Sequence, residues 1–395
     1  MQMNSSQTTV FTNIPETLLT KILNNTNSLP DLAQYCLVCK SWNGLTKPLL
    51  RSRYAAKISD IPGAITNIIY YTDSVADLAK LRLVCKSWNA IAEPLMFRGR
   101  IKIKSSYAAL ALYGHLYKQP SYGKFIKYLH FDDDYIPMTI QRGLLNLSFT
   151  PNMERITGEI DDDDFYLMMN SIADKSRDKF DKLEAIPHPS YYSVVYNLTL
   201  LNFKSTLQEI IYSLRDESDE EFSPGWDFSS KFESFVNLVK LELEADLEAV
   251  FDLEGTLIGC SRLQELTLKA HFNDKVHVKS EVEAWAPSNV KIVDTVRKLV
   301  IARECRSDLL EYLLFKYPNT STIDIDAARP LITANNNLHR TLNAIKTVRY
   351  HKVKIAVNTG NLIESLRFLI ADGIRFRLNE DKETETVCIE ISNLL

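Results

Sequence analysis

The chain writes one segment twice, and an internal repeat narrows the folds open to it more than any other feature. Asp31-Leu-Ala-Gln-Tyr-Cys-Leu-Val-Cys-Lys-Ser-Trp-Asn43 returns 46 positions later as Asp77-Leu-Ala-Lys-Leu-Arg-Leu-Val-Cys-Lys-Ser-Trp-Asn89. Between Asp31–Leu49 and Asp77–Leu95, 12 of 19 positions are identical, Pro48 and Pro94 among them. The lead-in repeats as well. Ile14, Pro15, Leu18 and Ile22 correspond to Ile61, Pro62, Ile65 and Ile69 at an offset of 47, so copy one carries one extra residue.

Each copy reads as a small helical unit. Ile-Pro followed by apolar residues at helical spacing starts a short helix, because proline is tolerated at a helix start. Asp31 and Asp77 are expected N-caps of the next helix, and Gln34 adds a capping-box residue in copy one. Leu78, Leu81, Cys85 and Trp88 fall at i, i+3, i+7 and i+10, one face of a helix running through the motif. Leu83 and Val84 lie off that stripe, as do Leu37 and Val38. A segment of roughly 40 residues cannot bury two apolar faces alone, so the rest of the chain or a partner must cover the second.

Pro15, Leu18-Leu19, Ile22-Leu23, Asp31-Leu32 and Leu37-Val-Cys-Lys-Ser-Trp42 resemble the F-box, and Ile61-Pro62, Ile65, Ile69, Asp77-Leu78 and Leu83-Val-Cys-Lys-Ser-Trp88 resemble it again. Both copies depart from the family pattern. Thr26 and Asp73 stand where a leucine is usual, and copy two has Gly63-Ala64 where an acidic or helix-favouring pair is usual. The resemblance implies docking on a Skp-type adaptor that bridges to a cullin scaffold of an SCF ubiquitin ligase. It assigns that contact to Ile14, Pro15, Leu18, Leu19, Ile22, Leu37, Val38, Cys39 and Trp42, with Ile61, Pro62, Leu83, Val84, Cys85 and Trp88 as second-copy counterparts. Which copy docks stays open: copy one is farther from the body of the chain, whereas copy two has the better family spacing.

The expected organisation is a polar tail (1–10), two F-box-like helical units (11–52 and 53–97) and a body (98–395). The body shows a looser periodicity. Ile126–Phe131, Val195–Leu200, Leu238–Leu243, Leu263–Leu268, Val296–Ile301 and Ile345–Tyr350 each place apolar residues at i, i+3 and i+5, with weaker versions at Met153–Ile156 and Thr320–Ile325. Successive starts lie 27, 42, 43, 25, 33, 24 and 25 residues apart. The short gaps match the period of leucine-rich repeats, roughly 20–29 residues. Helix-like stretches at Ser307–Phe315 and Leu362–Ile370 alternate with these strands, and Val387–Ile391 reads as a closing strand. The body thus resembles the degenerate leucine-rich-repeat tail of F-box proteins, an irregular α/β solenoid that holds a protein substrate on its strand-lined face. The alternative is an unrelated α/β domain. The acidic runs 161–164 and 216–221 are expected to be solvated insertion loops.

Other functions find little support. A net charge of −4 argues against a general nucleic-acid binder. No stretch is apolar over the length of a membrane span. The N-terminus lacks the basic and apolar regions of a signal peptide, and six scattered cysteines suit a reducing compartment, so cytosol, nucleus or both is expected. Cys36-Leu-Val-Cys39 is a CxxC, but Arg82 replaces Cys36 in copy two and no histidine pair completes a zinc site. GxGxxG, GxxxxGK[ST], HExxH and GxSxG are all absent. The expectation is a non-catalytic subunit of a ubiquitin ligase complex with no cofactor. The rival is a stand-alone protein-interaction scaffold.

Overall fold

A computed structural model describes residues 46, 66, 69–72, 74–132, 135–214, 228–303, 305–326, 335–346, 352–357, 359–381 and 386–391. The chain is mixed α/β and divides into two compact units, Met1–Gly99 and Arg100–Leu395.

In the first unit, α1 (Val75–Arg82) and α2 (Lys86–Leu95) replace the single helix expected from Asp77 through Trp88. Leu83 and Val84 form a turn, and Cys85, extended at φ −164°, precedes α2. Ser74, not Asp77, is the N-cap of α1: its hydroxyl accepts the Asp77 N–H at 3.2 Å. Asp77 instead lies in the first turn, where a negative charge favours the helix dipole. The break has a packing reason. Ile69, Leu78, Ala92 and Leu95 are buried together, with Leu81, Trp88, Ile91 and Met96 against them. On one straight helix Ala92 stands roughly 20 Å along the axis from Leu78, so only a turn lets it close over that residue.

In the second unit, β1 (Arg100–Ile103), β2 (Tyr128–Phe131) and β3 (Arg155–Gly158) form a parallel sheet in chain order. A second sheet holds β4 (Glu209–Ser213), β5 (Lys240–Leu247), β6 (Glu265–Phe272), β7 (Lys298–Ala302), β8 (Thr322–Asp326) and β9 (Lys352–Val357), again parallel and in chain order. Beyond β9 the direction reverses. β11 (Thr386–Ile391) pairs antiparallel with β9, and β10 (Phe376–Asp381) forms the edge beyond it.

Residues 184–188 join the sheets. The Glu184 N–H donates to Glu154 O at 2.7 Å and the Ile156 N–H to Ala185 O at 3.0 Å, while Gln208 and Glu209 N–H groups donate to Glu184 O at 2.8 and 3.1 Å. The ladder therefore passes through this segment from β3 to β4.

Burial alternates along the strands. Leu241, Leu243 and Ala245 of β5, Leu266, Leu268 and Ala270 of β6 and Val353, Ile355 and Val357 of β9 are buried, and their neighbours are half exposed. Each buried leucine contributes about 1.5–3 kcal/mol. Connecting segments cover this face: Phe131 meets Phe165 of α5 (Asp163–Lys175) edge-on at 6.2 Å, and Tyr212 stacks on Phe228 at 4.8 Å. Between β1 and β4 the chain also forms α3 (Ser106–Lys118), α4 (Met138–Ser148) and α6 (Val194–Asn202).

Two expected strands are corrected. Val195–Leu200 lies in α6, with the Ser193 hydroxyl accepting the Tyr196 N–H at 3.0 Å. Tyr196, Asn197, Thr199 and Leu200 are buried, at i, i+1, i+3 and i+4, which is a helical face. The ladder positions near it are taken by the bridging segment 184–188 and by β4; Leu207 just before that strand and Ile210 and Tyr212 within it carry the i, i+3, i+5 spacing and are buried. Starts at Leu183 and Leu207 in place of Val195 turn gaps of 42 and 43 into 30, 24 and 31. Ile345 likewise belongs to a helix, α10 (Asn335–Lys346), and the strand is Lys352–Val357; residues 347–350 lie outside the described residues.

Between β5 and β9 the remaining described helices before α10 are α7 (Leu253–Leu257), α8 (Lys279–Asn289) and α9 (Ser307–Lys316), and α11 (Thr359–Ala371) follows β9. A buried polar network ties α7 to α9. Both Glu254 carboxylate oxygens accept Lys316 Nζ, at 2.9 and 2.8 Å, and Tyr312 donates to the same group at 2.8 Å. Burial lowers the Lys316 pKa even against this carboxylate. Such a group is costly to leave alone, and loss of one partner costs about 3–5 kcal/mol.

Gly158, at φ 118°, lies where the ladder slips. Arg155 bridges Ala185, but Glu159 bridges His188, so the offset falls from 30 to 29. A Cβ on Gly158 meets Phe131 O at 2.2 Å. Gly158→Ala is expected to cost at least about 1–3 kcal/mol through backbone strain, read as a lower urea midpoint. Gly255, whose Cβ position is open, is the control, and its alanine variant is expected to be neutral or slightly stabilising. Equal stability for both variants rules out this role for the slip.

Candidate functional site

Of the positions assigned to adaptor contact, Leu83, Val84, Cys85 and Trp88 are described. Ile14, Pro15, Leu18, Leu19, Ile22, Leu37, Val38, Cys39, Trp42, Ile61 and Pro62 lie outside the described residues, as does the acidic run 216–221. The structure separates the four that it describes. Leu83, at the α1–α2 turn, is 86% exposed and Cys85 is exposed, whereas Val84 and Trp88 are half buried and Trp88 packs on the unit's own core. Tyr71 and Tyr70 are exposed in the same unit, and Arg98 stacks on the Tyr70 ring at 4.0 Å.

Arg82 fastens the two helices. Its Nε donates to Asn89 Oδ1 at 2.9 Å and its terminal nitrogen to Glu93 Oε1 at 3.0 Å. Copy one has Cys36 and Lys47 at the positions of Arg82 and Glu93. The two copies thus differ at both ends of this clamp.

In the second unit the half-exposed face of the strand ladder is charged. Glu209, Lys240, Glu265 and Lys298 occupy register-matched positions on β4 to β7. Lys240 reaches Glu209 at 2.6 Å and Lys298 reaches Glu265 at 2.8 Å, and Arg155 of β3 also pairs with Glu209. Burial pushes the Glu209 carboxyl up, but Lys240 and Arg155 outweigh it and hold the group below its usual range. Exposed pairs of this kind contribute about 0–1 kcal/mol each. Their larger effect is on register, because like charges directly opposite each other destabilise a sheet. This row had a sequence signal that the apolar spacing hid: the residue two after each motif start reads Glu209, Lys240, Glu265, Lys298.

A recess opens on this face beside the 189–193 loop. Glu159, His188, Tyr191, Glu242, Glu244 and Lys269 line it, with Tyr192 and Ser213 also in its wall. His188 enters at the slip after Gly158. Burial lowers its pKa below histidine's usual 6.5, partly against the Glu242 and Asp161 carboxylates and with help from Lys269, so the ring is neutral at pH 7. Burial and the nearby Asp163 and Asp161 carboxylates push the Tyr191 phenol up to about 12. Lys269 Nζ lies 2.5 Å from Glu242 Oε1, and Arg303 reaches Glu244 Oε1 at 2.5 Å. Arg303 holds φ 129°, a conformation costing about 1–3 kcal/mol for a residue with a side chain. One exposed ion pair is too weak to impose it.

The acidic run 161–164 is not a solvated insertion loop. Asp162 caps α5, accepting the Asp164 N–H at 3.2 Å, and Arg142 pairs with Asp162 at 2.7 Å and Asp164 at 2.9 Å. Asp161 accepts the Ser190 hydroxyl and Asp163 the Ser193 hydroxyl, at 2.7 and 2.6 Å. The run therefore holds the loop that walls the recess. Both serine hydroxyls are directed to carboxylates, and the recess is equipped for polar binding.

Among the described residues no group of three or more His, Cys, Asp or Glu side chains is arranged to hold a metal ion, and no helix is long and apolar enough to cross a membrane. No protein-family model matches the chain, and comparison with curated proteins finds no match.

A depressed histidine pKa means that the unfolded chain takes up the proton more readily than the folded one. The His188 contribution to stability is present above pH 6.5 and lost as pH falls through its folded pKa. Thermal midpoints of wild type and His188→Gln are expected to converge as pH drops from about 7.5 to about 5. Parallel curves would mean that His188 titrates as it does in the unfolded chain.

Proposed function

We propose that the chain is a non-catalytic substrate-recognition adaptor of an SCF-type ubiquitin ligase. The F-box-like segment docks a Skp-type adaptor, and through it a cullin scaffold, while the strand-lined face of the second unit holds a protein substrate. The observation that carries this reading is the duplicated Val-Cys-Lys-Ser-Trp block, whose described copy exposes Leu83 at the tip of a two-helix unit. An exposed leucine at a tight turn, backed by a packed tryptophan, is a suitable anchor for an apolar pocket on a partner. The strands running parallel and in chain order support a leucine-rich-repeat-like solenoid, with one half-exposed face left for binding. Its contribution is effective concentration near a ubiquitin-charged enzyme. The site of action is cytoplasmic, nuclear or both.

The test is capture of a purified Skp-type adaptor by wild type, Val38→Asp, Val84→Asp and Leu83→Asp chains. Loss in one copy's variants alone supports the ligase reading and names the working copy. If copy two works, Leu83→Asp weakens binding by at least about tenfold, the effect of an anchor loss near 1.4 kcal/mol. An adaptor that wild type does not capture points instead to a stand-alone interaction scaffold.

A further inference from the structure

Three carboxylates, Glu159, Glu242 and Glu244, line the recess beside Lys269. Lys269 is already committed to Glu242 at 2.5 Å, and His188 carries no charge at neutral pH because burial holds its pKa down. The wall that completes it is aromatic and hydroxylic, with Tyr191 and Tyr192 from the loop and Ser213 from the end of β4. Carboxylates beside tyrosine rings suit a cation that is also flat, because a guanidinium takes two hydrogen bonds in its plane and stacks on an aromatic through its face.

The molecule already contains one such pairing. Arg303, from the end of β7, crosses β6 to reach Glu244 on β5. It does so from φ 129°, and its side chain is 38% exposed.

We infer that the recess receives the arginine side chain of an extended protein segment lying on the strand face, with Glu244 and Glu242 accepting the guanidinium and Arg303 acting as an internal competitor. An incoming guanidinium replaces that of Arg303 on Glu244. Competition of this kind lowers affinity for weak, single contacts and favours segments that also engage the charged row on β4 to β7. The inference rests on the strand face being the substrate face and names the chemistry that this face selects.

The probe is acetyl-Gly-Arg-Gly-amide at millimolar concentration, with acetyl-Gly-Lys-Gly-amide and acetyl-Gly-Glu-Gly-amide beside it, read by saturation-transfer NMR on the full chain. The arginine peptide is expected to bind best and the glutamate peptide not at all. Glu244→Gln weakens arginine binding by about tenfold, as expected for a lost charge-assisted hydrogen bond. Glu283→Gln, an exposed carboxylate on α8 away from the strand face, leaves it unchanged. Arg303→Gly tightens it, a gain that misfolding cannot produce. Equal binding of the glutamate peptide, indifference to Glu244→Gln, or no arginine binding by either wild type or Arg303→Gly overturns the inference. Peptide failure with adaptor capture intact removes the recess assignment alone, whereas peptide binding without capture removes the ligase reading alone.

Discussion

The second unit depends on one interaction, the parallel backbone ladder that runs from β1 to β9 in chain order. Each strand bonds to the strand before it in sequence, with residues 184–188 standing between β3 and β4, so each needs a connecting segment to return the chain to its starting edge. Those segments cover the face on which the i, i+3, i+5 residues point, as Phe165 covers Phe131 and Phe228 covers Tyr212. Parallel sheets are usually buried on both faces. Here only one face is buried, and the other carries Lys240, Glu265, Lys298 and their neighbours in cross-strand pairs. The ladder thus sets both the core and the surface available for recognition.

Within that surface, departures from regularity mark the recess. The register slips by one residue after Gly158, and a one-residue slip turns a side chain to the opposite face. His188 enters the recess there. Asp161 and Asp163 fasten the loop carrying Tyr191 through Ser190 and Ser193, and Arg303 is strained beside Glu244. Strain and irregularity of this kind tend to gather at sites selected for something other than stability.

In the first unit, a small core closes over Leu78 only because the chain turns at Leu83-Val84. The same turn holds Leu83 out at 86% exposure. Burying the core and displaying the leucine are one conformational decision. The Arg82 clamp to Asn89 and Glu93 locks it, and copy one has Cys36 and Lys47 at the positions of Arg82 and Glu93.

Spacing alone determined a good deal. The duplicated block, the mixed α/β character, strands such as Leu238–Leu243 and Leu263–Leu268, and helices at Ser307–Phe315 and Leu362–Ile370 follow from period-2 and period-3.6 patterns, which are local. What local patterns share, they cannot decide. Apolar residues at i, i+3 and i+5 satisfy one strand face loosely and one helix face nearly as well, so Val195–Leu200 was readable either way until Ser193 capped it and Leu207, Ile210 and Tyr212 took the ladder position. The run at 161–164 looked solvated because its partners Arg142, Ser190 and Ser193 are distant in sequence. The alternating Glu–Lys row was written in the chain, but its meaning depends on the register that pairs Glu209 with Lys240 and Glu265 with Lys298. The sequence by itself determined which residues want to be buried. The tertiary structure decided which polar residues meet, because charge pairing, the slip at Gly158 and the strained Arg303 depend on distances that only the assembled ladder defines.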